Sequence, residues 1–316
     1  MSQPRHRMFS TLLGAQRALM SAGVSGWIRR IPFAYPVYTS LYRRFAPREE
    51  VSVEAAGHTL FLDPRDMGMA RAFLLFRGRW EETETMLFRS LVREGMTVVD
   101  IGANVGYYTL LAAKLAGPSG RVYAFEPGPE NFERLARNVE ANGYQNVTLV
   151  PKAVSSASGT ASLSLDRSSS GGHSLSRFRG GADSVVVETV SLDDFFNGRP
   201  QAVDVIKMDA EGAEIAILAG MPGVLARNPG VTLLTEFFPR AICGFGASPE
   251  DYVRRLAHLG FDIHPIDEET GELRSLDPAR AADLVGELTK PGAHTDVLNL
   301  LCLRGARARK SAGASL

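Results

Sequence analysis

The chain is 316 residues long, 45% apolar and 22% charged, with 35 basic and 35 acidic side chains. This composition excludes a disordered or collagen-like chain and supplies enough apolar material for one large core. The balanced charge disfavours a protein that holds nucleic acid mainly through its phosphates, and the two cysteines, Cys243 and Cys302, lack the spacing of a disulfide framework or a zinc site.

Charge is uneven along the chain. Residues 1–50 hold eight arginines (Arg5, Arg7, Arg17, Arg29, Arg30, Arg43, Arg44 and Arg48) against Glu49 and Glu50. Phe9, Leu12, Leu13 and Met20 recur near helical spacing, with Gln16 interrupting the face, which predicts a basic amphipathic helix. Such a segment either touches anionic lipid or a partner, or packs on the main domain with its arginines in solvent. No apolar run reaches the roughly 18 residues of a spanning helix, and the N-terminus lacks the apolar stretch and cleavage site of a secretory signal. The expectation is a cytoplasmic protein with a basic segment over 1–50, a main domain over 51–303 and a basic flexible tail over 304–316.

Within the main domain, residues 51–53 and 59–62 predict a small hairpin about Gly57-His58, and 81–92 a helix. Strands are then predicted at 97–101, 121–125 and 147–150, with helices over 107–116 and 130–141 between them. Two further strands, 161–165 and 185–190, flank a Ser/Gly loop. Continuous apolar runs at 203–208 and 231–235 predict buried parallel strands separated by a helix near 214–219, and 261–264 and 297–303 complete about seven core strands. The alternation is that of an α/β sheet with helices on both faces.

Asp100-Ile101-Gly102-Ala103-Asn104-Val105-Gly106 is a glycine turn between a buried strand and a helix, where the backbone can approach a nucleotide-like ligand and amides are free. It departs from the G-x-G-x-x-G phosphate fingerprint. Asp100 ahead of the turn suits a ligand with a cationic or amino-acid portion better than a pyrophosphate. Glu126 ends the second strand 24 residues beyond Gly102, near the offset at which an acidic side chain reaches a ribose diol.

These segments, with Phe125-Glu126-Pro127, Lys152-Ala153-Val154-Ser155, Ser191-Leu192-Asp193-Asp194 and Lys207-Met208-Asp209-Ala210-Glu211-Gly212-Ala213-Glu214, resemble the FkbM-type S-adenosylmethionine-dependent methyltransferases over about residues 84–261. The resemblance implies a class I methyltransferase, Rossmann-like seven-strand sheet with a final antiparallel strand, S-adenosylmethionine as cofactor, and methylation of a hydroxyl on a small molecule, sugar or polyketide. Carried onto these positions, Gly102, Ala103, Asn104 and Gly106 cradle the methionine portion, Asp100 supports the turn, Glu126 binds the ribose and Ala153 borders adenine.

Asp209 and Glu236 each end a buried strand at the carboxyl edge, where open α/β sheets bind ligands. With Glu211 they are the candidate catalytic acids, one orienting the methionine ammonium or the acceptor and another accepting a proton. His173, in the loop over 168–174, is a further candidate proton acceptor. Glu214 reads as a first-turn helix acid, and Ser191 with Asp194 as a helix cap. No spacing demands a metal. Two other classes fit less of the sequence: a nicotinamide-dependent oxidoreductase, which lacks the third phosphate-loop glycine, and a non-catalytic cofactor-binding protein.

Overall fold

In the computed structural model the structure is described over residues 3–21, 34–166, 169–175, 183–199, 202–290 and 295–305. Arg29, Arg30, Ser168 and the tail beyond 305 lie outside the described residues. The chain forms two compact units, Met1–Trp80 with Arg167–Gly171, and Glu81–Asp166 with Gly172–Leu316. The expected boundary near residue 50 therefore differs from the compact units, because the hairpin groups with the N-terminal helices.

The first unit contains α1 (Gln3–Ser21), α2 (Ala34–Phe45), the hairpin β1 (Val51–Ala55) and β2 (His58–Leu62), and α3 (Met69–Phe76). Phe9 and Leu13, one helical turn apart, are buried with Tyr42, Ala46 and Leu75. The polar break in this face has a partner: Gln16 Oε1 accepts from the Tyr38 hydroxyl. Arg17 donates to the carbonyls of Leu74 and Leu75, two of the groups that the end of α3 leaves unpaired within the helix. The hairpin turns on Ala56 and Gly57, both with positive φ (52° and 81°), the geometry of a tight two-residue connection. Trp80 stacks on Phe73 with ring centroids 5.4 Å apart.

The second unit begins with α4 (Glu82–Leu91), β3 (Thr97–Ile101), α5 (Tyr107–Ala116), β4 (Arg121–Phe125), α6 (Pro129–Ala141) and β5 (Val147–Val150). There follow β6 (Ala153–Val154), β7 (Gly159–Ser164), β8 (Ser184–Val190) and α7 (Leu192–Phe195). The alternation resumes with β9 (Val205–Met208), α8 (Glu214–Ala219), α9 (Pro222–Arg227), β10 (Thr232–Phe237), α10 (Pro239–Gly244) and α11 (Pro249–His258). It closes with β11 (Phe261–Pro265), α12 (Ala281–Thr289) and β12 (Leu298–Arg304).

Seven strands form one sheet in the order β11-β12-β10-β9-β3-β4-β5. Only β12 runs against its neighbours, pairing antiparallel with both β10 and β11. Every residue of β3 and of β9 is buried, as expected of central parallel strands covered on both faces. α5 is buried nearly all round, and α6 turns Asn131, Leu135, Asn138 and Val139 inward at helical spacing. The predicted strands at 161–165 and 185–190 do not join this sheet; they form β7 and β8 of a separate three-stranded sheet in the order β6-β8-β7. The chain order reverses between β3 and β9, so a crevice opens beyond the carboxyl ends of these central strands.

Candidate active site

Four neighbouring strands end on one rim. Parallel pairing sets Ile101 opposite both Phe125 and Met208, and Thr235 opposite Met208. The residues that follow bring Glu236, Asp209, the 102–106 turn and Glu126 to the same level on β10, β9, β3 and β4. Asp209 and Glu236 thus stand on adjacent strands, about 4.8 Å apart at the backbone.

The turn at the centre is shaped mainly by contacts within the protein. Gly102 has φ +80°, and a Cβ there would lie 1.8 Å from the Asp209 carbonyl oxygen. Gly106 has φ +97°, and a Cβ would meet Leu135 Cδ1 at 2.6 Å. Both glycines are therefore needed for close packing of the turn, irrespective of a ligand. The amides are engaged too: Gly102 and Ala103 donate to the Phe125 carbonyl, Gly106 to that of Ala103, and Asn104 to Glu126 Oε2 at 2.8 Å. The free amides expected at these positions are taken up because the turn docks on the end of β4. What the turn leaves for a ligand is an acceptor, the buried Asn104 Oδ1, which has no hydrogen-bond partner.

Glu126 is 4% exposed and ties two loops together, its other oxygen accepting from Gly128 N at 2.8 Å. Burial pushes its pKa up to about 7, against the lowering effect of the Gly128 and Asn104 amides. A side-chain hydrogen bond from Asn131 also falls on this carboxylate. Asp100 points back into α5, accepting from Thr109 Oγ1 at 2.5 Å, and so supports the turn from behind. Its pKa rises to about 6, burial outweighing the Thr109 hydrogen bond and Lys207.

On the other side of the turn lies a buried ionic cluster that sequence reasoning missed. Lys207 sits 3.2 Å from Glu84 and 3.5 Å from Asp209, with its ammonium 4.8 Å from the centre of the Tyr108 ring. Tyr108 donates to Glu81 at 2.9 Å. Burial alone would lower the Lys207 pKa, but Glu84, Asp209, Glu81 and Asp100 outweigh it and hold the ammonium charged. Burial, then Glu84, pushes Glu81 up to about 8. The available signal was a lysine inside the apolar strand Val205-Ile206-Lys207-Met208, where a charge needs a partner.

Glu236 carries an Oε2 that is buried and has no hydrogen-bond partner. Burial first, then Asp209, Glu211 and Glu214, raises its pKa well above the usual carboxylate range. Glu211 takes a left-handed conformation (φ 50°), and its carbonyl accepts from Ser174 Oγ at 2.6 Å, which ties Ser174 to the Asp209–Glu214 segment. Glu214 Oε1 accepts from Ala210 N and Gly212 N, so this acid secures its own helix entry. Ser191 caps α7, accepting from Asp194 N at 3.1 Å.

Two expected site residues are placed differently. His173 lies beside Gly128 and Asn131, its Nδ1 3.4 Å from Asn131 Nδ2, on the Glu126 side of the rim rather than beside Asp209 and Glu236. Ala153 is buried with Leu163 and Val187 in the small sheet, because β6 pairs with β8. Among the described residues no three His, Cys, Asp or Glu side chains converge in a metal-holding group.

The family profile of the methyltransferase FkbM domain matches residues 100–263, just over half of the chain and the span that contains the whole rim. The chain belongs to the FkbM methyltransferase family. S-adenosylmethionine is the cofactor of this class, and the FkbM rim fits it: the buried acceptors Asn104 Oδ1 and Glu236 Oε2 call for a ligand that brings donors or positive charge, which its ribose hydroxyls, ammonium and sulfonium supply.

The FkbM chain is also 29% identical over 152 residues to the hexuronic acid methyltransferase AglP of Haloferax volcanii, covering 46% of this chain and 59% of that protein. It is 30% identical over 156 residues to the methyltransferase sdnD of Sordaria araneosa, covering 39% and 60%. A protein-L-isoaspartate O-methyltransferase of Methanothrix thermoacetophila is 44% identical over 59 residues, covering 19% and 28%. The FkbM chain therefore spans less than two thirds of each of these relatives. Among solved structures, a methyltransferase from Aquifex aeolicus aligns over 71% of this chain and 90% of its own at 15% identity and a TM-score of 0.39. An O-methyltransferase from Thermotoga maritima aligns over 84% and 82% at 15% identity and a TM-score of 0.38.

Proposed function

We propose that the protein methylates a hydroxyl group on a small-molecule or sugar acceptor, with S-adenosylmethionine as donor. The observation that supports this most is the pair Asp209 and Glu236 on adjacent strands, level with the glycine turn and Glu126. The name of the Haloferax relative supports a sugar acid as the acceptor class.

When bound, the cofactor supplies an electrophilic methyl carbon on a sulfonium. Glu126 and Asn104 Oδ1 accept from the ribose hydroxyls. Asp209, held by Lys207 and partly exposed, orients the acceptor or the methionine ammonium. Glu236, a stronger base than an ordinary carboxylate because of burial and its acidic neighbours, takes the hydroxyl proton in its ionised form as transfer proceeds. Glu211 adds negative charge beside Glu236, and its backbone anchors the loop that carries Ser174. Displacement at a methyl carbon needs an in-line approach, so positioning on the rigid strand ends accounts for most of the acceleration.

The test is thermal unfolding with S-adenosylhomocysteine, with NAD and without ligand, in the parent and in Glu126→Ala. Ligand at about 100 times its dissociation constant adds roughly 2.7 kcal/mol, a shift of about 5 °C. A shift with S-adenosylhomocysteine alone, lost in the variant, supports the cofactor site, and turnover of hexuronic acid acceptors then tests the reaction. A shift with NAD alone overturns the reading. Cofactor binding without turnover across a broad acceptor panel assigns the chain to binding instead of catalysis.

A further inference from the structure

The first unit carries a surface that its own fold leaves uncovered. Of the seven large apolar side chains that stand exposed among the described residues, five belong to this unit: Met8, Leu19, Val37, Leu41 and Phe76. Four of them form two stripes. On α1, Met8 and Leu19 are eleven residues apart, three turns of helix, so they share one face with the intervening Leu12 and Ala15. On α2, Val37 and Leu41 fall one turn apart, and Arg44 continues the line. Val37 is 55% exposed and Met8 49%. The unit has built its core mainly from other faces of the same helices, those of Phe9, Leu13 and Tyr42; of the stripe residues only Leu12 packs against that core, and Met8, Leu19, Val37 and Leu41 stand exposed.

Beside these stripes arginines outnumber acids, Glu49 and Glu50 being the two acids that follow Arg48. Arg43 and Arg44 form the last turn of α2, Arg48 follows it, and all three are exposed. None of them has an ion pair among the described residues. Residues 1–50 carry eight arginines against two glutamates. A surface that bound nucleic acid phosphates would need the guanidinium groups and not the apolar stripes. Apolar side chains flanked by unpaired cations match a lipid bilayer with anionic headgroups, the stripes entering the acyl boundary and the arginines meeting phosphates. Among the described residues no helix is long and apolar enough to cross a membrane, so the contact is one of lying on the surface.

We propose that the α1–α2 face docks this protein on anionic membrane surfaces. The proposal is independent of the methyl-transfer reading. It is tested by co-sedimentation of the full chain with vesicles of phosphatidylcholine alone, and with vesicles in which a third of the lipid is phosphatidylglycerol. Binding to the anionic vesicles that weakens as salt is raised is expected. Arg43→Gln with Arg44→Gln should lower the partition about thirty-fold, and Val37→Asp with Leu41→Asp should abolish it. Val186→Asp, on an exposed strand residue of the other unit, should leave it unchanged. Circular dichroism melts of each variant that match the parent separate lost binding from lost folding.

Failure of the parent to sediment with anionic vesicles overturns the proposal, as does retention of binding by the folded Val37→Asp/Leu41→Asp variant. Sedimentation velocity without lipid provides the remaining arm. A dimer that this double variant dissociates assigns the face to a second copy of the chain and overturns the lipid assignment.

Discussion

Lys207 Nζ lies 3.2 Å from Glu84 Oε1, and the two side chains are 3% and 1% exposed. This pair joins α4 to the middle of the sheet, and Lys207 also reaches Asp209 on the rim. Removing one partner of such a pair strands the other charge in the interior. Lys207→Met should therefore cost about 3–5 kcal/mol of stability, whereas Lys207→Met combined with Glu84→Leu should recover most of that loss. Urea unfolding of the three proteins measures this, and a single variant as stable as the parent would refute it.

Several carboxyls in the second unit keep their protons to unusually high pH, with burial the first cause in each: Asp100 to about 6, Glu126 and Glu214 to about 7. In the unfolded chain these groups ionise near pH 4. The folded form therefore binds more protons across this interval, and stability is lost as pH rises through the folded values. The ligand-free protein should melt progressively lower from about pH 5 to about pH 8. Glu214→Gln keeps the Oε1 that accepts from Ala210 N and Gly212 N and should flatten the trend by about 3 kcal/mol. An unchanged slope in that variant contradicts the assignment.

Glu126 receives two backbone amides and is the proposed ribose acceptor. Glu126→Ala strands the Asn104 and Gly128 amides, at a cost of about 1–3 kcal/mol each, and should abolish S-adenosylhomocysteine binding. Glu126→Gln retains one acceptor and should fall between the two. Calorimetric titration beside an unfolding curve separates the effects; full affinity in the alanine variant would remove Glu126 from the cofactor site.

Asp209→Asn should leave the fold intact, because the side chain is 39% exposed, while turnover falls on the order of a hundredfold or more. Glu236→Gln should lower kcat comparably. Asp209 is, after burial, the largest cause of the raised Glu236 pKa, so the acid limb of residual activity in Asp209→Asn should move to lower pH. Parental turnover in Asp209→Asn would withdraw its catalytic role, and an unmoved limb would detach Glu236 from the proton transfer.

The central strands were legible because their apolar runs are continuous and end in motifs. Asp209 and Glu236 could be placed on one rim once 203–208 and 231–235 were taken as neighbours, as the β9–β10 register has it. The Lys207 cluster was not legible. Its partners Glu84, in α4, and Glu81, just before it, lie more than 100 residues earlier, and only tertiary packing brings them to the strand. The small sheet escaped for a related reason: alternation marks 161–165 and 185–190 as strands but does not say which sheet they join. At Gly102 and Gly106 the need for glycine was readable, but its cause, the Asp209 backbone and Leu135, was not.

The position of β12 bears on how the protein is made. Among the described residues it follows both of its neighbours in chain order, yet it lies inside the sheet, between β10 and β11. Until residues 298–304 have left the ribosome, both flanking strands wait with an unpaired edge, open to misassembly with another nascent chain. Glu236 pairs with Asn299 across that seam. Its rim is therefore completed only after residues 298–304 have emerged, so the proposed proton acceptor matures later than the 102–106 turn and Glu126.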